Sequence, residues 1–340
     1  MNIKFLLKQL CPPVLWNAAK KTYLFLFFKS YYSCDSIENF QLVFYPSNRI
    51  RFCCMMNNDS FADICNFDEI KGNYSRIFNK GVSKLKKVRK QFRKGNINPD
   101  CLKCPGLYKN TWKNIKNNKI FSINLSHYTG CNLKCVYCGG AKLEGIKTTD
   151  SNMVFDTIKI LKKGGHLLNN CSISVGGQHG EPSLHQGIIM ITDYCMKNRI
   201  FLDIRSNAAR YIDIFAKACE NGTARLIISS DAGSADVFKK IKLVDEFDNT
   251  WENIQKYMHN TTKNVYVKYL LQPENMNDYN DFIYCCKKYN VRIIMIDLVV
   301  GIECHKENVI NSVKNIKILC RKNEIEYIKG PFLPEEYFAE

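Results

Sequence analysis

From residue 119 onward, the chain alternates between two patterns of apolar positions. Short, mostly apolar runs of strand length are followed by longer stretches in which apolar residues recur every three or four positions, as in amphipathic helices. Strands that alternate with helices in this way pair in parallel and are covered by the helices. The predicted strands are residues 120–125, 171–175, 200–204, 225–229, 265–271 and 291–300.

Helical periodicity fills the stretches between these strands. The predicted helices are residues 153–163, 183–197, 209–220, 234–241, 249–259, 277–289 and 306–322. Six β/α units predict an α/β fold, a partial (β/α)6 barrel, whose functional residues lie at the carboxyl ends of the strands. We assign residues 119–304 to this barrel and residues 305–340 to a C-terminal helix and tail.

The preceding segment, residues 34–118, has a different pattern. Residues 41–45 alternate as a strand, residues 46–48 form a turn, and residues 49–53 return as a second strand. Residues 84–94 form a basic helix, whose apolar positions recur at helical spacing and whose charges form a solvated face. The pattern predicts a small α+β module in front of the barrel.

Residues 1–33 are apolar but contain many lysines. The longest stretch free of Lys and Arg, residues 9–19, contains Pro12 and Pro13 and is too short to span a bilayer. Two arrangements fit this segment equally well. It lies on a membrane surface with Trp16 and other aromatic residues inserted, or it forms a helix packed on the domain. The first arrangement predicts peripheral contact with the inner surface of the membrane.

Composition narrows the class of protein. With 46% apolar and 24% charged residues, the chain is globular, and its formal net charge of +17 favours acidic partners. The sequence lacks an aromatic-interleaved recognition motif, which disfavours direct binding of nucleic acid. The chain has 17 cysteines but no clean secretory signal, so metal ligation in a reducing cytoplasm is favoured over disulfides.

Three cysteines are crowded directly after the first predicted strand. Cys131, Cys135 and Cys138 are spaced four and three residues apart, in a segment that we name the cysteine loop (residues 131–138). Neighbouring thiolates on one loop can reach three corners of a cubic iron–sulfur cluster. One iron is then left without a protein ligand, and an open metal position is where a small molecule can bind and react.

Polar residues follow three later strands. Gly180 and Glu181 follow the second strand, where glycine allows close approach of a ligand and the carboxylate suits a ligand ammonium group. Ser206 and Asn207 follow the third strand, and Ser229 ends the fourth. A plain β-to-α turn and helix N-capping are the structural alternatives for these residues.

The order of these elements resembles that of the radical S-adenosylmethionine (SAM) enzymes. Their signature is C-x3-C-x2-C with an aromatic residue before the last cysteine, here Tyr137, followed by a GGEP element, a Ser/Thr–Asn pair and an S-x-D-G turn. The sequence departs from that pattern because Gln178 and His179 separate the glycine pair from Gly180. The resemblance implies a [4Fe-4S] cluster on the three cysteines and SAM on the fourth iron. It also implies reductive cleavage of SAM to a 5′-deoxyadenosyl radical that abstracts hydrogen from a substrate. The SAM-binding residues implied are Tyr137, Gly180, Glu181, Ser206, Asn207 and Ser229.

The fifth strand adds one further candidate. Lys268 shares a face with Tyr266 and Leu270, although alternation alone does not say which face lines the barrel. The family often has a polar or basic residue inside the barrel here, so Lys268 is a candidate contact for SAM or substrate. A lysine on the outer face is the alternative.

The N-terminal module carries a second set of cysteines. Cys34 precedes the hairpin, Cys53 or Cys54 follows it, and Cys101 and Cys104 form a C-x2-C pair. The arrangement resembles the SPASM/Twitch modules that bind an auxiliary [4Fe-4S] cluster. It precedes the core rather than following it, however, and lacks the full seven-cysteine pattern. We expect a second [4Fe-4S] cluster, with structural zinc or ordinary buried cysteines as alternatives.

These observations predict a cytoplasmic radical SAM enzyme. The expected substrate is a peptide or a small molecule, of sugar-like or phosphorylated type, and the expected electron donor is a protein such as flavodoxin or ferredoxin. The alternative from another class is a zinc-stabilised basic module that binds nucleic acid. The two hypotheses differ in iron content and in affinity for SAM.

Overall fold

The structure is a computed structural model that describes most of the chain. The described residues are 30–53, 60–70, 72–104, 106–111, 118–138, 148–176, 180–260, 263–300, 302 and 304–339. The chain divides into two compact units. The first, here the N-terminal unit, comprises Met1–Val43, Arg49–Ser122 and Lys159–Asn169, and the second, here the barrel unit, comprises Phe44–Asn48, Ile123–Ile158 and Asn170–Glu340. The predicted membrane-surface segment lies almost wholly outside the described residues.

Short strands and one long helix build the N-terminal unit. Strand β1 pairs antiparallel with β5, and a second group of strands runs in the order β2-β3-β4, with β3 and β4 antiparallel. The strands are β1 (Ser30–Ser33), β2 (Phe40–Phe44), β3 (Arg49–Arg51), β4 (Asp63–Asn66) and β5 (Tyr108–Thr111). The helices are α1 (Asp35–Glu38), α2 (Phe67–Ile70), α3 (Ser75–Arg93) and α4 (Pro99–Leu102).

Helix α3 organises the packing of this unit. Its apolar positions are buried on one face, as the helical spacing in the sequence predicts. Gly81 lies on that face, where an added Cβ would stand 2.2 Å from the ring of Phe40, so only glycine permits this close approach. Arg89 donates from Nε to the Ile37 carbonyl (2.7 Å) and from Nη2 to the Glu38 carbonyl (3.0 Å). The end of helix α1 is thereby satisfied by a side chain.

Parallel strands build the barrel unit. They follow one another in the order of the chain, and each pair from β7 to β12 is parallel. The strands are β6 (Ile120–Leu125), β7 (Leu167–Val175), β8 (Phe201–Ser206), β9 (Ala224–Ser229), β10 (Val265–Leu271), β11 (Ile293–Leu298) and β12 (Glu326–Lys329). The helices are α5 (Ser151–Lys163), α6 (Gln186–Lys197), α7 (Asp213–Glu220), α8 (Ala235–Lys242), α9 (Phe247–Asn260), α10 (Tyr279–Lys288), α11 (Lys306–Lys322) and α12 (Glu335–Ala339).

This architecture confirms the predicted α/β class, with a largely parallel sheet that fits a partial barrel. The main difference is β12, which lies in the segment predicted as a tail and pairs in parallel with β11, Ile293 opposite Glu326. Its four residues are only partly buried, so the strand leaves little apolar signal in the sequence. No described helix is both long enough and apolar enough to cross a bilayer.

Aromatic packing covers the outer face of the barrel sheet. The ring of Tyr269 on β10 lies 4.3 Å from that of Phe282 on α10, and Trp251 on α9 lies 5.9 Å from the same ring. All three side chains are fully buried. Because side chains alternate along a strand, residues of the other parity on β10 face away from these helices.

Candidate active site

The cysteine loop lies at the carboxyl end of β6. Cys131 and Cys138 are exposed and Cys135 is half-buried. The amide of Lys134 donates to the Lys242 carbonyl (3.0 Å), and that of Val136 donates to the Ile241 carbonyl (2.9 Å). The last carbonyls of a helix have no partner within it, so the loop satisfies the end of α8 and is held there.

Burial disfavours ionisation of two thiols of the loop, those of Cys131 and Cys135. Partial desolvation raises the pKa of the Cys131 thiol to about 11, although the residue as a whole is exposed. Burial also raises the pKa of Cys135, although the Lys242 ammonium acts in the opposite direction. Metal ligation requires thiolates, and a bound metal supplies the missing stabilisation. Within the described ranges, no three His, Cys, Asp or Glu side chains are grouped so as to hold a single metal ion.

Glu181 is anchored beside the loop. Its amide donates to the Gly130 carbonyl (2.9 Å), where Gly130 and Gly180 form a parallel bridge. A Cβ at Gly180 would stand 2.7 Å from the ring of Tyr128, so this crossing requires glycine. The residues that separate the glycine pair from Gly180, including Gln178 and His179, lie outside the described residues.

The Glu181 carboxylate joins β7 to β8. It is buried and accepts from the Ser183 amide (3.0 Å), the Ser206 hydroxyl (2.7 Å) and the Asn207 amide (2.8 Å). Burial raises the pKa of the carboxyl, and these hydrogen bonds oppose the rise. The acid is therefore fixed in one orientation by neutral donors that stabilise its ionised form.

Asn207 links this acid to the cysteine loop. Its Nδ2 donates to Asn132 Oδ1 (2.9 Å) and lies 3.5 Å from the Cys131 sulfur. Helix α7 begins only at Asp213, so Asn207 does not serve as its N-cap. The structure thus brings Glu181, Ser206, Asn207 and Cys131 together, as expected for residues at the ends of parallel strands.

The Tyr137 hydroxyl lies between Asp231 and Lys242 rather than beside Glu181. The hydroxyl donates to Asp231 Oδ2 (2.6 Å), and Lys242 Nζ donates to the same hydroxyl (3.0 Å). Burial alone raises the pKa of the Asp231 carboxyl, but the Lys242 and Lys268 ammonium groups outweigh it and hold the pKa below its ordinary value. Asp231 is therefore an ionised partner of Lys242, and the N-cap of α8 is Ser234.

Lys268 lies on the inner side of the sheet. Tyr269, of opposite parity, packs against helix α10, so Lys268 faces the other way, half-buried and level with Ser229 on the neighbouring strand. Burial lowers the pKa of its ammonium, while the nearby Asp231 and Asp297 carboxylates oppose that shift. A cation inside the barrel is suited to an anionic group of a ligand.

Sequence reasoning assigned no role to two residues of this site, Asn132 and Lys242. Asn132 belongs to the cysteine loop itself and accepts from Asn207, whereas Lys242 contacts the loop from the end of helix α8. The run of lysines that ends helix α8 was the available signal for Lys242, since one of them is buried while the others are solvated.

A second group of thiols surrounds a cavity in the N-terminal unit. The cavity has a volume of about 210 Å³ and an otherwise mostly apolar lining that includes Ile37, Phe52, Phe92 and Leu107. The four thiols that line it are those of Cys34, Cys53, Cys101 and Cys104. Cys54 lies outside the described residues. The four cysteines in which the sequence predicted a second metal site thus line one cavity.

A parallel barrel sheet with three cysteines at its carboxyl edge is typical of one class of iron–sulfur enzymes. Comparison with known proteins identifies that class. Residues 125–283 match the model of the radical SAM superfamily. Nearly half of the chain thus carries a radical SAM domain, which confirms the resemblance seen in the sequence. A radical SAM domain implies a [4Fe-4S] cluster and SAM as cofactors, and a loop with three thiols beside a buried carboxylate fits both.

The individual relatives share less than 30% of their residues with this chain. The GTP 3′,8-cyclase of Clostridium botulinum is 28% identical over 202 residues, which is 57% of this chain and 62% of that protein. The GTP 3′,8-cyclase of Desulforamulus reducens is 25% identical over 215 residues, 60% of this chain and 63% of that protein. The matches thus span less than two thirds of these relatives.

Solved structures share the fold. Streptococcus suis SuiB bound to S-adenosylmethionine superposes with a TM-score of 0.51 at 13% identity, covering 77% of this chain and 60% of that protein. SuiB bound to its precursor peptide SuiA gives the same TM-score at 12% identity, covering 74% of this chain and 54% of that protein. These comparisons leave the likeness of the N-terminal unit to SPASM/Twitch modules as a prediction.

Proposed function

We propose that the protein cleaves SAM reductively at the cysteine loop and uses the product to remove hydrogen from a substrate in the barrel. When bound, the [4Fe-4S] cluster and SAM together supply the 5′-deoxyadenosyl radical, while the protein contributes ligands, orientation and exclusion of water. The observation that carries the proposal is the convergence of Glu181, Ser206 and Asn207 on Cys131.

Each residue has a definite task in this proposal. Cys131, Cys135 and Cys138 hold three irons and leave one open position. The Glu181 carboxylate accepts the amino group of SAM in a charge-assisted hydrogen bond. Gly180 lets the main chain approach the ligand, and Asn207 holds the loop against the end of β8.

The test begins with protein purified without oxygen. We expect iron and sulfide in equal amounts, about four of each for the loop, and formation of 5′-deoxyadenosine and methionine from SAM after chemical reduction. Measurement of zinc in the same sample separates this proposal from the zinc-stabilised nucleic-acid-binding module. A fully folded protein that contains zinc but no iron would refute the proposal.

For the substrate we propose a chemical class rather than a particular molecule. The name of the Clostridium botulinum relative refers to GTP, which combines a sugar with phosphates, and SuiB was solved with a peptide. The inward-facing Lys268 supports an anionic substrate, such as a phosphorylated sugar derivative or an acidic peptide. For electron supply we propose a small protein such as flavodoxin or ferredoxin. The proposal of membrane contact through residues 1–33 can be tested by sedimentation with anionic vesicles.

We also propose that the cavity in the N-terminal unit holds a second [4Fe-4S] cluster. Three separate chain segments deliver four thiols to it, which is the number that closes a cluster completely. A single zinc ion needs four sulfurs at about 2.3 Å from one centre. The space that it fills is small, since about 10–15 Å³ already holds a water molecule. A cavity of about 210 Å³ is much larger than a single ion requires, which favours a cluster.

Replacement of Cys101 and Cys104 by serine tests this second site. We expect the iron content to fall by about half, from roughly eight to roughly four atoms per chain, while SAM cleavage in a single turnover persists. The matched control is Cys65→Ser, because this cysteine lies in the same unit but does not line the cavity. Unchanged iron content in the double variant would show that the cavity holds no cluster.

A further inference from the structure

A buried pair of opposite charges lies against the cysteine loop. Lys242, the last residue of helix α8, and Asp231 form an ion pair whose side chains are 1% and 0% exposed. The Tyr137 hydroxyl donates to Asp231 Oδ2 (2.6 Å). Because Tyr137 lies between Cys135 and Cys138 in the chain, the pair is joined directly to the segment that carries the ligands.

Every polar group of the pair is used. The three protons of the Lys242 ammonium go to Asp231, to the Tyr137 hydroxyl (3.0 Å) and to the Ser229 carbonyl (3.0 Å). The second oxygen of Asp231 accepts from the Leu270 amide (3.1 Å). A fully satisfied network in a low dielectric is rigid, so both charges stay at fixed distances from the thiols.

Main-chain contacts place the same pair close to the ligands. The amides of Lys134 and Val136 bond the last carbonyls of α8, so the negative end of the helix dipole faces the loop. Thiolates at that position are disfavoured, and a cation in the last turn offsets the effect. Lys242 is that cation, and its ammonium also lies 5.3 Å from the centre of the Tyr137 ring.

We propose that the Asp231–Lys242 pair anchors the cysteine loop through Tyr137 and balances its own charges, so that neither charge shifts the reduction potential of the cluster that the loop holds. This inference rests on the function proposed above. With both charges present the pair is nearly neutral toward the cluster. Removal of either charge leaves the other one buried without its ion-pair partner, in a low dielectric where Coulomb interactions are strong.

Two near-isosteric substitutions in the pair should therefore shift the midpoint potential of the cluster in opposite directions. Lys242→Met leaves the Asp231 charge, makes addition of an electron less favourable and lowers the midpoint potential. Asp231→Asn leaves the Lys242 charge and raises the midpoint potential. We expect a shift of about tenfold in the one-electron equilibrium constant in each case, which corresponds to about 59 mV. The double variant should return close to the original value.

The measurement is a reductive titration of the anaerobically loaded protein, followed by the electron paramagnetic resonance signal that changes when SAM is added. Tyr137→Phe is the control, because it removes a hydrogen bond without changing the charge. Shifts of the same sign in both single variants, or no shift in either, would overturn the inference.

Loss of iron gives an equally decisive outcome. If a single variant does not load, the double variant decides, because it restores neutrality without restoring the ion pair. A loaded double variant supports charge balance, whereas an empty one shows that the pair serves packing alone and overturns the inference. A native protein with no reducible cluster at the loop would instead refute the proposed function itself.

Discussion

Replacement of Cys135 by alanine is expected to lower SAM cleavage by more than about a hundredfold while leaving the fold largely intact. Substitution of residues that only support a metal ligand typically costs tenfold to a hundredfold in metal affinity or activity, and loss of a ligand itself should cost more. Cys135 is half-buried and contributes little to the core, so the fold should lose only about 0.5–1 kcal/mol. The measurement is 5′-deoxyadenosine formation, together with thermal unfolding of the same sample.

The matched control is Cys304→Ala. Cys304 lies in the same unit and is also half-buried, but it lines a surface cavity near Tyr279 and His305 rather than the loop. Its replacement should leave cleavage and iron content unchanged. In the Cys135 variant, iron in the N-terminal unit should persist, so the loss should be confined to the SAM-dependent signal. Retention of cleavage within about threefold of the native rate would argue against the role of the loop.

The elements that the sequence predicted best are those with strong periodicity. Strand β10 spans residues 265–271 as predicted, because Val265, Val267 and Tyr269 are buried on one face. Helix α11 spans residues 306–322 as predicted, because its buried positions recur at helical spacing. Short elements such as α1, with one buried apolar residue, carry no such signal.

The site was predictable as far as it depends on strand ends. Glu181 and Asn207 follow neighbouring parallel strands, and the topology of such a sheet brings their side chains to one edge. The inward orientation of Lys268 was not predictable, because alternation defines two faces and only the helix contacts of Tyr269 identify the outer one.

The role of Lys242 could not be predicted from the sequence for a different reason. The residue comes from the end of a helix, and its contact with Tyr137 joins residues 105 positions apart in the chain. The sequence shows it as one lysine in a basic run, and only burial separates it from its solvated neighbours. The four thiols of the N-terminal cavity were predictable in part. The C-x2-C pair is local in the sequence, whereas Cys34 and Cys53 are brought together by the hairpin between them.

Replacement of Glu181 by glutamine should weaken SAM binding by roughly thirtyfold to a hundredfold at unchanged iron content. The carboxylate accepts from three donors through two oxygens, whereas an amide offers one oxygen and turns its NH2 group toward a donor. The variant also loses the negative charge that suits the amino group of SAM. Loss of a charge-assisted hydrogen bond costs about 2–2.8 kcal/mol, which gives the stated range.

Anaerobic calorimetric titration with SAM measures this effect, and iron analysis of each sample establishes that the cluster is present. Glu220→Gln is the matched control, since it makes the same change at an exposed position at the end of α7. Ser206→Ala removes one donor to Glu181 but keeps the charge, so its loss of affinity should be smaller. Native affinity in the Glu181 variant would contradict the assigned role. Equal losses in the Glu181 and Ser206 variants would show that the hydrogen-bonded frame, rather than the charge, governs binding.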